Sequence, residues 1–185
     1  MIFIIIKIII AIIAADFLTG LVHWWEDAYG NPNWNFLGKS VIQPNLLHHQ
    51  KPREFLKSSY FELVFFSVLV GIVLLGISYL IGILNPYTAF AILLSTQGNQ
   101  IHAFSHQSDK ENGPIICFLK GIGLLQSRRH HGQHHRAPYA CHYCAVTNYL
   151  NPILDRIAFW AGLEYLVLKL SGIPVLRGTA IRNGL

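Results

Sequence analysis

Charge is what this sequence has least of. Only 12% of its 185 residues are Asp, Glu, Lys or Arg, while 52% are hydrophobic and the mean hydropathy is +0.40. A soluble domain carries about 25% charged residues, so the deficit points away from water and toward a bilayer. Cysteine is scarce too, with Cys117, Cys141 and Cys144 alone. An odd number with two close together excludes a disulfide framework and fits reduced thiols facing a cytosol-like compartment. Broad basic coverage is also missing. The net charge of +5 is concentrated in two groups, Lys51, Arg53 and Lys57, and Arg128, Arg129 and Arg136, which excludes a nucleic-acid partner. There is no internal repeat, low-complexity linker or second domain. The length suits one domain, expected over residues 1–185.

What is present is apolar runs and histidine. Residues 2–22 are long enough for a bilayer core, which takes about 20 residues. The run leads straight into His23-Trp24-Trp25 with no small-residue cleavage site, so it reads as a retained membrane helix rather than a signal peptide. Residues 24–60 are polar and turn-rich, punctuated by Asn31-Pro32-Asn33, Pro44-Asn45 and Lys51-Pro52. Two further spans are expected at 61–84 and 87–104, joined by the break at Asn85-Pro86 as an antiparallel hairpin. Residues 115–125 are too short to cross and read as an interfacial or re-entrant segment. Residues 152–170 mix Ile153, Leu154, Ile157, Phe159, Trp160 and Leu163 with Asp155, Arg156 and Glu164, as an amphipathic helix does. The expectation is an all-α membrane bundle of three to four spanning helices with a histidine-rich cap. The 85–86 turn is uncharged and the loops at 24–60 and after 107 hold most of the Lys and Arg. The positive-inside rule therefore puts those loops, and the histidines, on the cytoplasmic side.

The ten histidines are clustered. His102 and His106, in NQIHAFSH, stand at i and i+4 and share a helix face, with Asn99 one turn before them on the same stripe. RRHHGQHH (128–135) contains two such pairs, His130 with His134 and His131 with His135, although Gly132 makes a bent turn possible. His48-His49, in PNLLHHQKP, is a pair in a loop whose rings can serve two metals, or one metal and a supporting contact. Asp16, Gly20, His23 and Asp27 follow steps of four, three and four along one helix face, so a carboxylate there can orient the imidazole or ligate directly. Cys141-His142-Tyr143-Cys144 is a lone C-x-x-C that lacks the following histidine of a haem attachment motif. It reads as structural thiols, with His142 free to join the cluster.

Neutral imidazole is the commonest side-chain metal ligand. So many histidines exceed the four ligands of one zinc and suit two metals. Imidazole accepts iron, zinc, copper or nickel. A site adjoining acyl chains favours iron and dioxygen, because unactivated C–H bonds do not yield to a Lewis acid. A membrane di-iron hydroxylase has an equivalent ligand pattern. A haem electron carrier would place histidines near both membrane faces, and a metal transporter would carry polar residues through the bilayer. Neither pattern is seen.

The order Asp-x-x-x-Gly-x-x-His-Trp, His-His-x-x-Pro, Asn-Gln-Ile-His-x-x-Ser-His and Arg-x-His-His-x-x-His-His resembles the Kua lipid-desaturase family. Its members include plasmanylethanolamine desaturase and a plant plastid phosphatidylglycerol trans-desaturase. The likeness runs from about Asp16 to Glu164 and includes TNYLNPILDRIAFWAGLE. It implies iron ligands at His23, His48, His49, His102, His106, His130, His131, His134 and His135, with Asp16 and Asp27 at matching positions. The chain departs from the pattern at Tyr139, where members often have histidine, and His142 is the nearest substitute. The resemblance further implies oxygen-dependent desaturation of a membrane lipid chain by two irons, with O2 as co-substrate. No flavin or haem module fits in the chain, so a cytochrome b5-like or ferredoxin-like electron donor is implied.

Overall fold

The computed structural model describes residues 1–177, and the remainder of the domain expected over 1–185 lies outside the described residues. Among the described residues the chain is all-helical. Its first helix, α1 (Ile2–Tyr29), runs past the expected end at residue 22. The apolar run thus continues, without a break, into the segment carrying His23 and Asp27. Next come a π-helical turn at Gly38–Ile42, α2 (Gln43–Gln50) and a 3-10 turn at Glu54–Lys57. His48 and His49 therefore sit on a helix rather than in the expected loop. The proline at position 44 is tolerated because it falls in the first turn, where its missing N–H has no intrahelical partner.

α3 (Tyr60–Leu80) starts at a capping box, in which Ser59 takes the Glu62 N–H and the Glu62 carboxylate takes the Ser59 N–H. Asn85 caps α4 (Pro86–Ser95) through the N–H groups of Tyr87 and Thr88. The expected 87–104 span is divided, because α5 (Gly98–His106) is a separate helix. The hydroxyls of Ser95 and Thr96 donate back to the carbonyls of Ile92 and Leu93, a bonding mode that loosens and bends helices.

Residues 115–121 of the 115–125 segment belong to α6 (Asp109–Gly121), which is interrupted at Gly113, whose φ of 71° breaks the helix ahead of Pro114, and residues 122–125 form a turn after it. α7 (Arg128–His134) carries the histidine-rich motif. The expected 152–170 helix is two, α8 (Leu150–Arg156) and α9 (Phe159–Ser171), separated by Ala158 in the left-handed region.

Two helices, α1 and α3, are long and apolar enough to cross a membrane. They are not the buried core of a soluble fold, because their apolar side chains lie mostly on the outside: Ile4, Ile5, Ile9, Ile72 and Val73 are each at least half exposed. Such a surface needs a hydrocarbon solvent, so the two helices point to membrane association. α1 packs on α4, and α3 packs on α4 and α5. Lys7, near the start of α1, lies over the Tyr87 ring just after the α3–α4 turn. His23, near the end of α1, shares a cavity with Glu62 at the start of α3. α1 and α3 are therefore antiparallel, and the histidines gather at the end of the bundle away from Asn85.

Candidate metal centre

Two groups of side chains converge at that end. The first is His48, His102, His106, His131 and His135, and the second is His23, Asp27, His49 and His134. Within each group the potential ligand atoms lie within 4.8 Å of one another, and every residue but His135 is buried. Successive residues on a helix point about 100° apart, which explains how adjacent His48 and His49 on α2 enter different groups. In α7 and its C-cap, His131 and His135 meet in the first group as the i, i+4 spacing predicts. His134 turns to the second.

The hydrogen bonding of these rings tests whether a cation fits. His23 Nδ1 faces the Tyr143 carbonyl at 3.1 Å, His134 Nδ1 faces the Cys141 carbonyl at 2.8 Å, and His48 Nδ1 faces the Asn45 carbonyl. A carbonyl only accepts, so each Nδ1 carries the proton and each Nε2 presents a bare lone pair. The lone pair of His134 lies 3.0 Å from His49 Nε2 and 3.3 Å from Asp27 Oδ2. His23 Nε2, His48 Nε2 and Asp27 Oδ2 are buried without a hydrogen-bond partner. The bare Nε2 atoms of His23 and His134 thus stand beside Asp27 Oδ2 in the second group, and that of His48 stands in the first, so a cation in each group would satisfy them. In the first group His131 Nε2 approaches three other Nε2 atoms, those of His102 at 2.8 Å, His106 at 3.0 Å and His135 at 2.9 Å. An imidazole nitrogen has one in-plane site, a proton or a lone pair. It cannot make three hydrogen bonds there, but it can be one of several ligands around a common point.

Electrostatics agree. Burial, with help from neighbouring imidazoles, holds His48 and His131 well below the ordinary histidine range. Burial likewise brings His134 and His135 down to about 4. The rings are neutral at pH 7, the form that binds metal.

The supporting residues differ from a simple reading of the α1 stripe. Asp27 stands within the second group, its Oδ1 held by Asn45 Nδ2 at 2.6 Å so that Oδ2 faces the histidines. Asp16 reaches none of these rings. Its carboxyl accepts from the Val146 N–H at 2.7 Å and the Thr147 hydroxyl at 2.5 Å, fixing the loop whose Tyr143 carbonyl orients His23. Gln126 and Asn151 clamp the same loop through the Cys144 carbonyl. Asn99 donates to the Leu63 carbonyl at 2.9 Å, tying α5 to α3.

His130 and His142 lie outside both groups. His130 Nε2 is 3.3 Å from Asn151 Nδ2, and its ring centroid is 4.7 Å from that of His142. His142 pairs with Asp155, in a small cluster with Cys141. Burial opposes a charge on His142, but Asp155 and Cys141 outweigh it and raise its pKa to about 9. Tyr139, the position at which the chain departs from the family pattern, stacks on the His49 ring with centroids 4.6 Å apart. Cys144 is a free, buried thiol with its pKa pushed up by burial. It packs against Gly20, where an added Cβ would stand 2.6 Å from its sulfur.

An apolar cavity of about 590 Å³ opens beside the groups, with His23, His48 and His102 in its wall.

These features define an all-helical protein with two candidate membrane-spanning helices and two buried candidate metal sites at one end of its bundle. The family model for the lipid desaturase domain matches residues 12–175, and the chain belongs to that family. It is 32% identical over 168 residues to a probable fatty acid desaturase of Acanthamoeba polyphaga mimivirus, covering 91% of this chain and 84% of the viral protein. It is 32% identical to plasmanylethanolamine desaturase 1 of Mus musculus, covering 91% of this chain and 66% of the mouse protein. With the chloroplastic fatty acid desaturase 4 of Arabidopsis thaliana the identity is 33%, over 82% of this chain but 48% of the plant protein. No solved structure matches the chain significantly.

Proposed function

We propose that the protein is an oxygen-dependent desaturase of a membrane lipid chain, built around two irons. The observation that carries this reading is the placement of the two histidine groups against the end of an apolar cavity. His48, His102, His106, His131 and His135 would hold one ion, and His23, His49, His134 and Asp27 the other. Two irons bound there supply the oxidising power of dioxygen for removing two hydrogens from adjacent carbons. Taking O2 to two waters requires four electrons. The lipid gives two, and an external cytochrome b5-like or ferredoxin-like donor gives the rest.

The chain's own residues do the positioning. The carbonyls of Asn45, Cys141 and Tyr143 hold three imidazoles in the metal-binding tautomer. Asn45 keeps one Asp27 oxygen occupied and leaves the other free. The apolar wall excludes water from the reacting chain. Exposed Arg128, Arg129 and Arg136 surround the histidine end and offer a landing surface for an acidic donor or anionic headgroups. The bundle would cross the membrane with this end in the cytoplasm, a sidedness that the basic loops support.

The test is to express the chain in cells, compare their lipids by mass spectrometry with those of cells lacking it, and measure metal in the purified protein. Expected are a lipid two mass units lighter and about two irons per chain. Active protein without metal would refute the reading.

A further inference from the structure

A second apolar cavity, of about 580 Å³, lies toward the other end of the bundle, lined among others by Lys7, Ile10, Asn85, Tyr87 and Ile92. Two residues line both cavities: Leu18 on α1 and Leu74 on α3. The two spaces therefore meet at this pair, and the leucine side chains form the partition between them.

The cavity beside the histidines is graded along its length. Its lining includes Glu26, Asn45, Ser58 and Glu62 at the histidine end, and Val70 and Leu74 farther along α3. It also reaches the bilayer face, because Val22, Leu69 and Val70 line it and remain 46%, 46% and 47% exposed. A ligand that enters from the side, polar at one end and apolar at the other, is a lipid rather than a water-borne metabolite. The volume falls within the roughly 300–1,000 Å³ of ligand pockets, enough for one chain and not a whole two-chain lipid.

We propose that this cavity takes a single alkyl or acyl chain of a membrane lipid, and that Leu18 and Leu74 are the floor against which its methyl end stops. This deepens the desaturase reading and rests on it for the chemistry, but not for the binding. From Glu62 to Leu74 is twelve residues of α3, about 18 Å of helix rise, which bounds the length of chain lying between the mouth and the floor. Neither leucine touches a metal-ligating ring in the contacts described above, so the floor can be altered apart from the metal groups. Opening it would join the two cavities and admit longer chains, while a bulkier residue would shorten the space.

The test uses the full chain in phospholipid vesicles doped with a phosphatidylethanolamine bearing a diazirine at the methyl terminus of one chain. After photolysis, peptide mass spectrometry should locate adducts at Leu18, Leu74 and their neighbours. Adducts confined to outward residues such as Ile4 and Val73 would overturn the proposal. Leu74→Trp should lower the Leu18 adduct several-fold with metal content unchanged, and an unaltered adduct pattern there would also overturn it. In the active protein, Leu18→Ala with Leu74→Ala should move the preference between chains toward the longer one by roughly tenfold, as methylene-sized pocket changes do. The two readings separate cleanly. Floor adducts without any desaturated product leave the chain site standing and remove the desaturase reading, and product without floor adducts does the reverse.

Discussion

Replacing Asp16 with alanine should destabilise the protein and loosen a metal site that Asp16 does not touch. Its carboxyl is fully buried and accepts two hydrogen bonds from the 146–147 segment. Removing it orphans the Val146 N–H, which is fixed, and the Thr147 hydroxyl, which can rotate toward another acceptor. Leaving a buried polar group unpaired costs about 1–3 kcal/mol, so the loss should be about 2–4 kcal/mol, with the amide providing most of it. For a chain of this size that corresponds to a fall in Tm of roughly 4–16 °C. Asp16→Asn keeps an oxygen that accepts from the Val146 N–H, but its NH2 group only donates and cannot accept from the Thr147 hydroxyl, so it should lie between wild type and alanine. The second consequence is chemical. The loop that Asp16 anchors also presents the Tyr143 carbonyl to His23 Nδ1. Freed, it should release the tautomer of His23 and weaken metal at the Asp27 group, by the 10–100-fold seen when residues supporting a ligand are removed. Thermal unfolding in detergent and metal analysis after dialysis against a weak chelator measure both effects. If Asp16→Ala melts like wild type and retains its metal, the anchoring argument is wrong.

Four further outcomes are expected. His106→Ala and Asp27→Ala should each lower bound metal from about two ions per chain to about one, because each residue belongs to a different group; loss of both ions from either variant would mean that the groups are not separate sites. His142→Ala should keep full metal content, since His142 pairs with Asp155 outside both groups, and metal loss would reassign it as a ligand. For metal-free protein, stability should fall as pH drops from about 6.5 to about 4. His134 and His135 have their folded pKa lowered to about 4 by burial, so the unfolded chain takes up protons first in that window; unfolding midpoints that do not move with pH there would contradict it. Single cysteines at Asn33 and Gln133 should be labelled from the cytoplasmic face and one at Asn85 from the opposite face, and opposite labelling of Asn33 and Gln133 would rule out a shared centre.

Much of the site was legible because helix periodicity converts spacing into direction. The pairs His102/His106 and His131/His135 converge as i, i+4 residues do, and the stripe through Asp16, Gly20, His23 and Asp27 is realised on a single helix. His130 shows where periodicity stops. Its spacing to His134 equals that of the convergent pair, yet tertiary packing turns it to Asn151. Asp27 and Asp16 share one stripe, and only the loop packed against α1 distinguishes a residue among the histidines from an anchor eleven residues earlier. Asn45 carried a signal only as a turn residue, and its contact with Asp27 spans two helices. The division of the helix at residues 95–98 has no clear signature in the sequence, because serine and threonine occur in helices and bend them only where their hydroxyls bond backward.

The use of backbone carbonyls to fix three imidazoles has a consequence for how the protein can change. A carbonyl belongs to every residue type, so substitutions at Asn45, Cys141 or Tyr143 leave that acceptor in place, provided the chain keeps its path. A deletion or insertion between residues 136 and 147 moves the carbonyls themselves, even when it alters no histidine. The segment should therefore tolerate drift in its letters, within what the buried side chains of Tyr143, Cys144 and Thr147 allow, but not a change in its length, and a relative whose spacing differs there would have to orient its imidazoles by another arrangement.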